Sequence, residues 1–189
     1  MNTPAHLIFG AAAFARPDRK GTLTAAMLGA LAPDLSLYLM VAVSIFFLGV
    51  PADTVFREYY YSDAWQSVFA VDNSFILWGG LLGVAIWRGW PLLVVFAGAG
   101  LLHLGMDFPL HTHDARQHFW PVTDWVFESP YSYWDRRAHA GIIGPIEGGL
   151  SILLAGSLLW RFKSWPVRLL VVVLLAAEMF SSGIWRFVF

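Results

Sequence analysis

The sequence predicts an all-α, polytopic helical membrane bundle of about five transmembrane helices plus a short N-terminal helix. Three observations predict it. Of the 189 residues 58% are hydrophobic and 13% charged, at a mean hydropathy of +0.60, whereas soluble domains carry about a quarter charged residues. Apolar runs near the ~20 residues that cross a bilayer recur between short basic joints. Tryptophans also gather near the ends of these runs, at Trp65, Trp87, Trp90, Trp120, Trp125, Trp160, Trp165 and Trp185. There their amphipathic rings suit the headgroup region. The length suits one domain, 1–189.

Pro4 to Ala15 reads as a short retained helix rather than a secretory signal, because its basic residues follow the apolar stretch instead of preceding it. Leu23 to Val50 is the first long run. Ser74 to Trp87 is short and borrows Ser67 to Asn73 for its first turns. Pro91 to Leu110 comes next, and Gly141 to Trp160 with Val167 to Phe187 forms a C-terminal hairpin. Prolines mark the joints.

Two polar loops are predicted, 51–73 and 111–140. The short linkers hold seven of the twelve Lys and Arg: Arg16, Arg19, Lys20, Arg88, Arg161, Lys163 and Arg168. The long loops carry eight of the thirteen acids. The positive-inside rule therefore puts both long loops on the non-cytoplasmic side. The charge balance of −1 and the lack of a basic patch argue against nucleic acid as a partner. With no cysteine there is no disulfide, thiolate ligand or cysteine nucleophile, which excludes a glutamine-dependent amidotransferase. A transporter is disfavoured by the lack of an internal repeat. Any metal site must be built from His, Asp and Glu.

The chemistry is concentrated where charge is costly. Asp34, His103, Asp107, Glu147 and Glu178 lie within or near the ends of apolar runs, where an ionised carboxylate costs about 2.5–3.5 kcal/mol on insertion scales. His103 and Asp107 are four apart and share a helix face. Asp34 follows Pro33, which loosens its helix. His6, Asp34, His103, Asp107 and Glu147 are thus able to converge in the outward half of the bundle. Such a set suits zinc, or iron or manganese with more oxygen ligands. A plain hydrogen-bonded His–Asp couple between two helices is the alternative. Glu178 is left outside the site, paired with Arg168 or Arg186 or facing a partner chain. In loop 111–140, His111, His113, Asp114 and His118 are candidates for ligand support, proton shuttling or a lid folded over the outer mouth.

Several of these residues fall in an ordered set: Pro4 with His6, Ala32-Pro33-Asp34, His103 with Asp107, the HDA…HFWP…DW stretch, and SPYSYWD…H…G with the following Glu147. In order and spacing the chain resembles the membrane-bound metal-dependent hydrolase-like proteins, small bacterial inner-membrane proteins. The resemblance covers nearly the whole chain. It implies a multi-pass helical fold in the bacterial inner (plasma) membrane, with His6, Asp34, His103 and Asp107 as metal ligands. One departure stands out. Where that family carries a histidine-rich motif, this chain reads Phe69-Ala70-Val71-Asp72-Asn73-Ser74, with Asn73 at a histidine position.

Two readings follow. In the first, a divalent metal, zinc by expectation, activates water, with Glu147 or Asp72 as the catalytic general base, on a lipid-like or small ester or amide substrate. In the second, the chain is a non-catalytic accessory or assembly subunit of a larger membrane complex.

Overall fold

The structure, a computed structural model, describes the backbone of residues 1–188 and the side chains of residues 1–181. Proline in the first turn and an unbroken apolar run make Thr3–Phe14 a helix, α1. It is short, yet it lies at the centre. Ile8, Ala11 and Ala15 pack against Ala155, Leu158, Phe162 and Val171 of later elements. The Arg161 guanidinium closes the far end of α1 by donating to the Ala12 and Ala15 carbonyls.

Helix α2, Thr22–Ala42, continues into a π-helical turn, Val43–Phe47. Pro33 sits inside it and is buried. Segment 51–73, predicted as a loop, is mostly helical: α3 (Ala52–Thr54), a π-turn (Val55–Tyr59) and α4 (Asp63–Asp72). Ser62 caps α4 by accepting from the Trp65 amide, and burying Phe69 and Ala70 outweighs the local polarity. Ser74 caps α5, Phe75–Trp87, in the same way.

Helix α6, Pro91–Asp107, stops short of the predicted Leu110. Phe108 still has helical backbone, but Pro109 has no N–H with which to continue the hydrogen-bond ladder. After the loop come α7, Ala140–Arg161, and α8, Trp165–Val188. Helix α2 packs closely on α6. A side chain at Gly29 would overlap the Phe96 backbone, so only glycine permits this crossing.

Among the described residues three helices are long and apolar enough to cross a membrane: Thr22–Phe47, Asp63–Trp87 and Ala140–Arg161. Thr3–Phe14 and Pro91–Asp107 are shorter apolar helices, and the side chains at the end of Trp165–Val188 lie outside the described residues. Only 17–33% of the apolar windows in those three is buried. Phe46, Phe47, Leu153 and Phe180 are 70–81% exposed. An apolar exterior of this extent suits lipid tails and is unfavourable in water. Trp87, Trp160 and Trp165 lie exposed near helix ends, whereas the side chain of Trp185 is outside the described residues.

Candidate metal centre

The centre forms where α1, α2 and α6 meet. His6 comes from the buried face of α1, Asp34 from the Pro33 turn of α2, and His103 and Asp107 from the last two turns of α6. The His6 and His103 rings stack with centroids 3.6 Å apart and planes at 12°. His6 Nε2 lies 2.9 Å from Asp107 Oδ1. His103 Nε2 is 3.3 Å from Asp107 Oδ2 and 3.6 Å from Asp34 Oδ1. Donor atoms of His6, His103 and Asp107 all lie within 4.8 Å of one another, and all three residues are buried. Ligand atoms bound tetrahedrally to zinc at about 2.0–2.1 Å stand about 3.3 Å apart, so this spacing fits.

His103 is held in one orientation. Pro33 has no N–H to offer the Gly29 carbonyl, which opens α2 in that turn. The next carbonyl, that of Ala30, receives Nδ1–H of His103 at 2.7 Å. That bond leaves Nε2 as a lone pair, buried and without a hydrogen-bond partner, facing two carboxylates. Three electron-rich atoms facing one another are repulsive unless a cation or a proton lies among them.

Nearby groups set the posture of both carboxylates. Thr3 Oγ1 donates to Asp34 Oδ2 at 2.6 Å and meets the Tyr38 hydroxyl at 2.5 Å. The Met1 amino group ion-pairs with Asp107. His111, just beyond α6, places Nε2 3.3 Å from Asp107 Oδ2 and Nδ1 2.7 Å from Asp114 Oδ2. Asp114 also accepts from Trp134 Nε1 at 2.9 Å and from the Thr112 amide at 3.1 Å. Burial works against a charged His111, but the flanking Asp107 and Asp114 outweigh it and push its pKa up to about 9. Burial likewise opposes ionisation of Asp114, yet His111 and Trp134 hold it at about 2.

Loop 111–140 folds back onto the bundle. The Phe75 amide donates to the His118 carbonyl at 2.8 Å, the Ser74 hydroxyl donates to the Trp120 carbonyl, and the Ser129 amide donates to the His111 carbonyl at 2.8 Å. Phe75 and Phe108 meet Phe119 of the loop tilted and edge-on, and Phe108 stacks on its Phe127. Between this loop and the centre lies a cavity of about 160 Å³, whose lining includes Asp34, Asp107, His111, Arg116, His118 and Tyr133. His113 stays exposed, edge-on to Trp134.

The sequence-derived set therefore divides. His6, Asp34, His103 and Asp107 come together, and His111, Asp114 and His118 line the cavity beside them. Glu147 does not face the centre. It accepts from the Asn2 amide at 2.7 Å, while Asn2 Nδ2 donates to Glu178 at 3.2 Å, so these two buried carboxylates flank Asn2. Glu178 is thus tied to α1. Arg168, its expected partner, donates instead to the Leu159 and Phe162 carbonyls, and the Arg186 side chain lies outside the described residues. Asp72 ends α4 half-buried and does not line the cavity, whereas Asn73 does, with its amide turned to the Phe69 carbonyl. Sequence reasoning passed over Tyr60, Arg116 and Tyr133. A loop arginine and two tyrosines carry no periodic signal that would single them out.

Comparison of the chain with protein-family models, curated proteins and solved structures finds no match to any of the three.

Proposed function

We propose that the protein is a multi-pass membrane hydrolase that holds a divalent metal, zinc first, on His6, His103 and Asp107 with Asp34 beside them. The observation that carries this reading is His103 Nε2, its lone pair fixed by the Ala30 carbonyl and aimed at two carboxylates. The donor set of two imidazoles and carboxylate oxygens suits zinc. The motif order resembling membrane-bound metal-dependent hydrolase-like proteins supports the same reading. Bound there, zinc supplies a Lewis acid and makes water acidic enough to ionise near neutral pH.

The chain's own residues do the rest. Ala30 fixes the tautomer of His103, and Thr3 and Tyr38 hold Asp34 in place. Proton transfer falls to His111, oriented by Asp114 and open to the cavity, rather than to Glu147 or Asp72. Loop 111–140 keeps bulk water from the reacting groups. By the charge bias of the linkers, the cavity faces the non-cytoplasmic side of a bacterial inner membrane.

Elemental analysis of protein never exposed to chelator tests the metal. About one equivalent of zinc or another divalent metal is expected, and a folded His103→Ala/Asp107→Ala double variant should carry less than a tenth of it. Metal-free wild-type protein would overturn the reading in favour of a non-catalytic subunit of a membrane complex.

A further inference from the structure

The same cavity holds a cation that the metal chemistry does not use. Arg116 is 8% exposed. Its Nη2 donates to the Tyr60 hydroxyl at 2.6 Å, and its guanidinium carbon lies 4.0 Å from the Phe69 ring centroid and 4.7 Å from that of Tyr60. Nη1 is buried and has no hydrogen-bond partner. No carboxylate oxygen lies within 4 Å of this guanidinium among the described residues. Asp114, the nearby acid, has both oxygens taken by His111, Trp134 and Thr112. Aromatic faces and the nearby charge of Asp114 offset part of the cost of this buried cation, but a buried charge with no directly paired carboxylate remains unfavourable. Something anionic completes it.

Two residues on, His118 is 2% exposed. Its Nδ1–H donates to the Arg116 carbonyl at 2.9 Å, which leaves Nε2 as an acceptor, buried and again without a partner. The cavity therefore presents the open half of a donor fork and an unfilled acceptor together. A carboxylate satisfies only the fork. A phosphate monoester in its monoanionic form satisfies both, giving P–O⁻ to Arg116 and P–OH to His118. Besides the acidic and polar groups of the candidate metal centre, the lining includes an apolar stretch, Leu37, Val41 and Phe56, and Tyr38, 47% exposed on the membrane-length helix α2.

We infer that Arg116 and His118 bind the phosphate monoester headgroup of a lipid whose apolar tail leaves the cavity along α2. The inference deepens the proposed function, since it names the substrate class of that cavity. Binding itself does not depend on turnover. Charge, an acceptor and an apolar exit together select the ligand: the fork holds it, His118 distinguishes a monoester from a diester, and the wall distinguishes a lipid from free phosphate.

The test is calorimetric titration of the full chain in non-ionic detergent with dodecyl phosphate, its O-methyl diester, laurate and inorganic phosphate. Wild-type protein should bind dodecyl phosphate saturably and at least tenfold more tightly than any of the other three. Arg116→Gln should lose at least tenfold. Since Arg116 also packs on Phe69, His118→Phe provides a second variant that keeps an aromatic ring there. It should bind monoester and diester equally. Inorganic phosphate binding as tightly as the alkyl ester would overturn the lipid assignment, and a wild-type preference for laurate would overturn the phosphate. Zinc content measured on the same samples separates the two ideas. Zinc without Arg116-dependent phosphate binding sinks this inference alone, and phosphate binding without zinc sinks the hydrolase reading alone.

Discussion

At the level of single residues, two members of the candidate centre take their orientation from a neighbour on a different helix. His103 owes its free nitrogen to Ala30 of α2, and Asp34 owes its posture to Thr3 of α1. Residues holding ligands in this way commonly matter 10- to 100-fold for metal affinity. His118 carries the pH dependence of the lid. Burial drives its pKa down to about 4, against the Arg116 carbonyl bond, while His111, Asp107 and Arg116 supply the surrounding charge. In the unfolded chain histidine titrates near 6.5. A depressed folded-state value gives stability that is complete above pH 6.5 and is lost as pH falls through 4. The shift corresponds to roughly 3 kcal/mol. Thermal unfolding in detergent at pH 7 and pH 4.5 checks it. Wild type should lose several degrees more than His118→Phe between the two, and equal losses would contradict the assignment. His6, Asp34, His103 and Asp107 were legible because each is an ionisable group in an apolar run, where cost itself is the signal. Arg116 and Tyr133 were not, because a loop has no period and only the folded chain shows what each faces. The fold sets Glu147 beside Asn2 rather than beside His103. Its place near the outer end of a helix gave depth but not azimuth, and Asn2 turned out to claim it.

Among the helices, close approach is what brings the ligands into register. Gly29 meets the Phe96 backbone and Gly100 takes the Trp78 indole ring. Phe96 offers backbone rather than a flexible side-chain end, so it has no room to yield. Gly29→Val should cost at least the 1–3 kcal/mol typical of overpacking, read as a lower unfolding temperature and loss of zinc. Unchanged stability would show that the α2–α6 crossing is looser than drawn here. Helix positions were legible from apolar runs to within a few residues. Segment 51–73 was not, since Phe69 and Ala70 bury themselves on contacts remote in sequence, and a capped helix forms there despite five charged residues, Asp53, Arg57, Glu58, Asp63 and Asp72. Hydropathy registers apolar composition rather than helix length, and the apolar run predicted to Leu110 ends as a 17-residue α6 at Asp107.

For the molecule as a whole, a polar, metal-suited interior inside an apolar exterior reverses the arrangement of a soluble domain. Two carboxylates and two histidines at the meeting of α1, α2 and α6 are tolerable there only if charge is balanced locally. Orientation follows from the basic linkers and is open to a direct check, since the chain has no cysteine. A single cysteine at exposed His113 should react with a membrane-impermeant maleimide added to intact cells, while one at Lys163 should react only after lysis. The reverse pattern would invert the topology and move the cavity to the cytoplasmic face. The account rests most heavily on what occupies the space between His103 and its two carboxylates, and zinc K-edge X-ray absorption on the purified protein reads that directly. It should show about four nitrogen or oxygen neighbours near 2.0–2.1 Å, no sulfur, and the outer-shell pattern of two imidazoles that falls to one in His6→Ala. Absence of zinc, or a spectrum unchanged by that substitution, would contradict a metal centre at this place in the fold.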